Sequence, residues 1–356
     1  IVQDQELEYF AIRSTASVFD ISPLIKYRIK GKDAENFLNK LTVRNVSLQK
    51  INTVQYTMWC DDNGSVLDDG TLFKFDVHDF RICCQERNLP WLIDTSLGFD
   101  VEIIEETEDI AGLSIQGPTS ASVLIKAGYN LIEKLKPFEM IETQDKLLIS
   151  RTGFTGDLGY EIFLPNKLAK ITWDKIWKAG INLGIKAIGL NALNIARIET
   201  GFIIANSDFI TSEYALRNNR IRNPDEIGMS WMVDMTKPYF NGKSALKKIR
   251  DNNESKFVFA ALEIDGKEPA DGAIIYYNKK QEVGIVTAAT WSPTAKKSIA
   301  LASLKLPYGD KIQSNLWVEI YVLRELEYYK MMKKVFIVKA PFVKLKRRNI
   351  TPPLSK

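Results

Sequence analysis

The apolar positions of this chain change their spacing along its length, and the spacing predicts the elements. Residues 17–31 read as one strand ending at Gly31. Ala34, Phe37, Leu38 and Leu41 follow at helical spacing and predict a helix over 32–41. A β-rich run predicts a strand over 54–59, Asp61-Asp62-Asn63-Gly64 a hairpin turn, and residues 66–75 the return strand. Further strands are expected at 80–85 and 113–116, after which Gly117-Pro118 hands over to a helix beginning near Thr119. Strands over 146–151 and 160–164 bracket a glycine-rich turn, and helices are expected at about 166–183 and 189–200. Near residues 235–255 the pattern shifts to a helix over 243–250 and a charged linker over 251–256. Short alternating strands follow at 257–264, 273–277, 283–289, 298–303, 317–321 and 334–338. Such strands with turn signals between them predict a small barrel or sandwich. The expected class is α+β, in three parts. Residues 1–150 and 151–250 form an α+β body, and residues 251–356 form a β-rich, barrel-like domain. No tandem repeat of fixed period is visible.

Composition changes this picture little. Of 356 residues, 45% are hydrophobic and 26% charged, enough for several cores in an ordinary globular chain. A net charge of +4 is too weak to point to nucleic acid or a membrane surface. Only residues 344–348 are locally basic, either a solvated face or a seat for phosphate or polyglutamate. No stretch reaches the ~20 apolar residues of a membrane span, and no signal-peptide pattern appears. The chain opens on Ile1 rather than methionine, which leaves room for a preceding leader. A cytoplasmic location is expected. Cys60, Cys83 and Cys84 lack metal-ligand spacing and read as small buried hydrophobes in a reducing compartment. His78 is the sole histidine and sits in an expected turn, so multi-histidine metal sites are excluded and no metal is expected. A Ser-His-Asp triad would have to use that one residue. Carboxylates, backbone groups and a bound organic cofactor are left to carry any chemistry.

Three segments hold candidate chemistry. Gly64-Ser65-Val66-Leu67-Asp68-Asp69-Gly70 follows the hairpin turn. Adjacent strand residues point to opposite faces, so one aspartate can face a cavity while the other is solvated or ties down the turn. The segment from Ser150 to Glu161 contains Gly153, Gly156 and Gly159, which permit tight turning and close approach of a ligand to the backbone. Glu161 then stands in an otherwise apolar strand, either on a wet face or buried against a partner such as an edge with two adjacent N–H donors. The turn matches neither a P-loop nor a dinucleotide fingerprint. The third segment runs from Gly189 to Gly201, an amphipathic helix in which Arg197 and Glu199 read as one ion-paired region.

These segments, in this order and spacing, resemble the aminomethyltransferase (glycine cleavage T-protein) family of folate-dependent enzymes. Val18-Phe19-Asp20-Ile21-Ser22, Ile115-Gln116-Gly117-Pro118 and Asn223-Pro224-Asp225-Glu226-Ile227-Gly228 add to the resemblance. So do Phe240-Asn241-Gly242-Lys243-Ser244-Ala245-Leu246 and Trp291-Ser292-Pro293-Thr294. The match covers about residues 7–345. It implies a three-domain cloverleaf around a central cavity for tetrahydrofolate. It also implies that Asp69, the second aspartate of the pair, is the catalytic carboxylate that orients the amine substrate and steers protons. Glu161 matches the family's pterin-binding glutamate, for which a bidentate contact to an aminopyrimidine edge is the physical reason. Gln85 falls where the family has an asparagine near the folate, and Tyr56 matches a tyrosine of the cavity. The resemblance thus assigns substrate contacts to Asp68, Tyr56 and Leu24, and cofactor contacts to Glu161, Gln85, Phe154, Tyr160 and Leu193.

Departures from the family pattern bear on the donor. The family's D-V-S-H-M reads Asp20-Ile21-Ser22-Pro23-Leu24 here, the tyrosine of its G-Y-T-G turn is Phe154, and the arginine of its G-L-G-A-R-D is Leu193. Losing that arginine removes a cation that would face acidic groups of folate, substrate or carrier. Much of the N-terminal segment that precedes this match in the family is also missing. The chain resembles more closely a subset with a C-terminus like Val318-Glu319-Ile320-Tyr321 that ends near Arg347-Arg348-Asn349-Ile350-Thr351-Pro352-Pro353. The expected activity is transfer of a methyl or aminomethyl unit from a small amine, sulfonium or methoxy donor to tetrahydrofolate, since wider relatives demethylate such compounds. One alternative is glycine cleavage itself with a lipoyl carrier protein as partner. Another is a non-enzymatic folate-binding role like that of iron–sulfur assembly relatives. Those relatives carry K-G-C-[FY]-x-G-[QE]-E, where this chain has Lys237-Pro238-Tyr239-Phe240-Asn241-Gly242-Lys243 and no cysteine.

Overall fold

The computed structural model describes residues 4–350. Ile1 and the Thr351-Pro352-Pro353 end of the C-terminal resemblance lie outside the described residues. The chain divides into two compact units. One holds the residues up to Met58, Asp68–Ala196 and those from Leu345 onward; the other holds Trp59–Leu67 and Arg197–Lys344.

The first unit contains α1 (Gln5–Ser14), β1 (Ala16–Asp20), β2 (Ile25–Lys30) and α2 (Ala34–Leu41). Most of the hairpin strands β3 (Thr53–Cys60) and β4 (Val66–Asp76) belongs to it, and β5 (Asp79–Cys84), α3 (Leu89–Ser96), β6 (Glu102–Glu105) and β7 (Ile110–Gln116) follow. Then come α4 (Ser120–Lys126), β8 (Met140–Glu142), β9 (Leu148–Ser150), β10 (Gly159–Pro165), α5 (Ala169–Gly180), β11 (Ile185–Ala187) and the first turns of α6 (Leu190–Thr200). The strands make two sheets, ordered β11-β1-β7-β10-β9-β8 and β3-β4-β5-β2-β6.

Strand alternation explains how these sheets pack. On β10, Tyr160, Ile162 and Leu164 join Leu113 and Ile115 of β7 in a core with Val123 and Leu124 of α4 and Ile176 of α5. Phe163 points the other way and meets Phe73 of β4 edge-on, ring centroids 5.2 Å apart. Val54, Cys83, Met140 and Leu148 complete this second core between the sheets. Glu161 shares the parity of Phe163, and Asp69 that of Phe73, so both carboxylates belong to the faces that look across the inter-sheet core.

The second unit holds α7 (Lys243–Asp251) and six strands: β12 (Phe257–Ile264), β13 (Ile274–Tyr277), β14 (Gln281–Ser292), β15 (Lys297–Lys305), β16 (Leu316–Arg324) and β17 (Glu327–Val338). They close as a barrel in the order β12-β15-β14-β13-β16-β17, so no strand edge is left unpaired. Ala260, Leu262, Ile275, Val286, Ala302, Val318 and Ile320 fill it. Gly284 is required where β14 meets β15: a Cβ there would stand 2.5 Å from the Ser303 carbonyl oxygen.

The single strand expected over 17–31 is two strands in different sheets. The break is polar. Ser22 N–H donates to Asp20 Oδ1 (2.8 Å), and the buried Lys26 Nζ donates to the carbonyls of Ser22 (2.8 Å) and Leu24 (2.7 Å), closing a turn around Pro23. The apolar run continues through it because both sheets bury their strands. β17 starts at Glu327, earlier than expected, because β16 and β17 pair in register as far as Arg324 and Glu327 although these side chains are solvated. Among the described residues, no helix is long and apolar enough to cross a membrane, and no cluster of His, Cys, Asp and Glu is placed to hold a metal ion.

Candidate active site

Adjacent positions on β4 put Asp68 and Asp69 in different environments. Asp69 is half-buried, and its Oδ2 accepts a 2.6 Å hydrogen bond from the Tyr56 hydroxyl of β3. Burial pushes the Asp69 carboxyl up to about 6, against the stabilising Tyr56 bond. Burial, followed by the Asp69 charge, drives the Tyr56 phenol well above its ordinary value, so it stays an O–H donor. Behind Tyr56, Arg44 Nη1 donates to the Tyr56 carbonyl at 3.0 Å.

Asp68 is fully buried on the opposite face. Its Oδ1 accepts from Asp69 N–H (2.8 Å), and its Oδ2 from Asn88 Nδ2 (2.8 Å) and Glu86 N–H (3.2 Å). Burial and the neighbouring Asp69 charge raise it to about 8. Its acceptors are used by the backbone of Asp69 and by the 86–88 segment. Nor is it solvated or in the hairpin turn.

Glu161 is half-buried on β10, with Oε2 accepting from Thr152 Oγ1 at 2.5 Å. Ser150 Oγ lies 2.7 Å from the same hydroxyl. Burial raises the Glu161 carboxyl, opposed by the Thr152 bond. Oε1 has no hydrogen-bond donor among the described residues. The Cys83 thiol of β5 is raised to about 12, chiefly by burial, with the Arg81 and Lys26 cations opposing the rise and the Glu161 and Glu106 charges adding to it. No lysine or arginine among the described residues forms an ion pair with Asp68, Asp69 or Glu161.

The glycine-rich turn works differently from expectation. A Cβ at Gly153 or at Gly159 would lie 2.1 Å from Gln116 Oε1 in each case. The close approach is made by the chain's own Gln116, whose Nε2 donates to Ser114 Oγ (3.0 Å) and Thr152 O (3.2 Å) and whose Oε1 accepts from Thr155 Oγ1 (2.9 Å). Gln116, Asn88 and Arg44 are the residues that sequence reasoning did not assign. For Gln116 the signal was present: a buried amide in an apolar strand just before Gly117-Pro118.

The other assigned residues scatter. Phe154 is half-buried in the turn and Leu24 half-buried beside the β1–β2 break, whereas Gln85 is exposed just after β5. Tyr160 is fully buried in the core against α4 and α5, on the face of β10 away from Glu161, so the structure separates it from that carboxylate. Leu193 is half-buried on α6, whose Ala192, Ile195 and Ala196 pack on Tyr9 and Ile12 of α1. Arg197 Nη1 meets Asp208 Oδ2 at 2.5 Å, and Glu199 Oε1 accepts from Ser292 Oγ at 2.5 Å. In the basic tail, Arg347 is not simply solvated: its guanidinium is engaged by Asp157.

Comparison with known proteins agrees with this architecture. Residues 2–237 match the family described as GCVT N-terminal domain, and residues 257–344 match the glycine cleavage T-protein C-terminal barrel domain. A protein of Thermoanaerobacter pseudethanolicus named aminomethyltransferase is 32% identical over 310 residues, covering 85% of this chain and 82% of that one. One of the same name from Clostridium botulinum is 30% identical over 311 residues, covering 85% and 81%. The crystal structure of glycine cleavage system aminomethyltransferase T from Bartonella henselae superposes with a TM-score of 0.82 at 23% identity, covering 95% of this chain and 89% of that one. With its α+β sheets, its closed barrel and matches over nearly its whole length, the chain belongs to the glycine cleavage T-protein family of aminomethyltransferases.

Proposed function

We propose that this protein is an enzyme that transfers a one-carbon unit from a small donor to tetrahydrofolate, with Asp69 as the catalytic carboxylate and Glu161 as the pterin-holding one. One observation carries the reading. Asp69 and Glu161 are raised by burial on facing sheet surfaces of the first unit, and each has only a hydroxyl for a side-chain partner. A buried carboxylate without a cation favours a ligand that brings N–H groups. Glu161, with Oε1 unmet and Oε2 on Thr152, fits the donor edge of a reduced pterin. Tetrahydrofolate, when bound, supplies the nucleophilic nitrogen that takes the carbon. The protein's part is positional and electrostatic. Tyr56 fixes the Asp69 carboxylate by its 2.6 Å bond, and Asp68 fixes the backbone beneath it. Asp69 can then hold an amine or cationic donor and accept or return its proton.

The family membership supports an amine donor, and glycine cleavage with a lipoyl carrier protein is the second reading, because the relatives at 30–32% identity are named aminomethyltransferase. Leu193 in place of the family's arginine favours a different small donor, such as an N-methylated glycine, a sulfonium compound or an aryl methyl ether. A tetrahydrofolate-dependent turnover screen across these donors and glycine with lipoyl carrier tests both. Turnover with a small donor alone supports the first reading; turnover with the carrier alone supports the second. No folate affinity, or full activity in Asp69→Ala, overturns both.

A further inference from the structure

The turn that leads to Glu161 is fastened from the far end of the chain. Arg347 sits in a short 3-10 turn, Lys346–Arg348. Its Nε donates to Asp157 Oδ1 (2.6 Å), and its Nη2 to Asp157 Oδ2 (2.7 Å) and to the Arg13 carbonyl (2.7 Å). The Asp157 carboxylate is fully buried and also receives Arg13 Nη1 at 3.4 Å. Beside it, Arg151 Nη2 donates to the carbonyls of Arg348 (3.2 Å) and Ile350. From Asp157 the contacts run without a break to the carboxylate. Asp157 N–H donates to Thr155 Oγ1 (3.3 Å), Thr155 Oγ1 to Gln116 Oε1 (2.9 Å), Gln116 Nε2 to Thr152 O (3.2 Å) and Thr152 Oγ1 to Glu161 Oε2 (2.5 Å).

We propose that residues 345–350 are a strap that sets the Glu161 carboxylate, with Arg347 as the positioning residue. The proposal rests on the reading of Glu161 as the folate-holding group. A two-point guanidinium–carboxylate bond fixes the orientation of both planes, where a single contact fixes only a distance. Without Arg347, the buried Asp157 keeps its bond from Leu158 N–H (2.8 Å) and one long contact to Arg13 (3.4 Å), and neither of these reaches back to the C-terminal segment. The turn it governs contains Gly153, Gly156 and Gly159, which resist displacement poorly by themselves. Arg347 touches neither Asp69 nor Glu161, so its effect belongs to affinity rather than to the chemical step.

The test is tetrahydrofolate binding by the full chain, measured by calorimetry. Arg347→Ala is expected to raise Kd about tenfold, within the range of a lost charge-assisted contact, and to change kcat less than KM. Arg347→Lys, which keeps a cation but not the fork, recovers part of that loss. Thr155→Val breaks the next link with Arg347 in place and also weakens binding. Should Arg347→Ala fail to fold, these two variants carry the test. In a Glu161→Gln background, adding Arg347→Ala changes Kd by less than about twofold, because both act through one contact. Independent effects of the two substitutions, or wild-type affinity in Arg347→Ala and Thr155→Val, overturn the proposal. A wild-type protein that does not bind tetrahydrofolate overturns the functional reading instead. The strap is then read by amide exchange of residues 152–161: faster exchange in Arg347→Lys supports it, and unchanged exchange overturns it.

Discussion

Two buried sets of charges in this protein are built on opposite plans. In the second unit, Arg197 and Asp208 are each 2% exposed and meet at 2.5 Å. Every side is satisfied: Asp208 also accepts from Ile204 N–H (2.9 Å) and Thr287 Oγ1 (2.7 Å), and Arg197 donates to the Phe202 carbonyl (3.0 Å). In the first unit, Asp69 and Glu161 have no cation, are partly open, and are raised by burial. A closed, neutral, fully bonded pair has no remaining demand for a ligand. A carboxylate held by one hydroxyl retains an acceptor and a charge that only something from outside can meet. The difference separates a structural ion pair from the proposed site, although sequence presents all four residues as charges in apolar surroundings.

That contrast can be broken by substitution. Asp69→Ala should lower kcat about 10²- to 10⁴-fold, the usual worth of a positioned acid–base group, with the thermal midpoint unchanged or raised. If the two plans were alike, the variant would unfold instead. Asp208→Ala should do the reverse, destabilising by about 3–5 kcal/mol in denaturant because it strands the buried Arg197 cation. Loss of turnover in a protein of wild-type stability would show that the pair is part of the chemistry. Glu161→Gln keeps the shape and removes the charge, and should weaken tetrahydrofolate about ten- to a hundredfold by calorimetry while leaving the fold intact.

The smallest effect is in pH. Asp69 binds its proton more tightly in the folded protein, at about 6 against 3.8 unfolded. Between those values the folded state holds a proton that the unfolded state has lost, so stability falls as pH rises through the window. Asp68, at about 8, continues the fall upward. Asp69→Asn should flatten the lower part of this slope when thermal midpoints are taken from pH 4 to 8. Catalysis that needs the Asp69 carboxylate should show kcat/KM dropping below about pH 6. A flat acid limb would remove the carboxylate role while leaving the burial argument standing.

Much of the fold was legible in the chain. Hydrophobic periodicity announced β3, β4, the existence of each barrel strand, and helices α2 and α7 close to their ends, because burial of one face imposes a period whatever the partner; the start of β17 was the exception. Short edge strands were not legible. β6, β8 and β11 have three or four residues each, too few for a period, and exist because a neighbouring strand offers unmet N–H and C=O groups. Nor was α1, which Asp4 caps by accepting from Glu6 and Leu7 N–H and whose Tyr9 and Ile12 are buried against α6.

At the site, the sequence by itself determined which residues could carry chemistry: one histidine, no metal-ligand spacing, a pair of aspartates after a hairpin and a glutamate in an apolar strand. It also determined, through period two, that only one of Asp68 and Asp69 could face the inter-sheet core. The family resemblance pointed to Asp69 of the two; what each polar group touches was decided by the tertiary structure. Asp68 is engaged by Asn88, Gln116 fills the glycine turn, Arg197 takes Asp208, and Arg347 reaches back to Asp157. The physical reason is one of range. Side-chain period records whether a position is buried, which is a local property of the chain. A hydrogen bond or ion pair depends on a partner within about 3 Å, and strand order decides which distant residue that is.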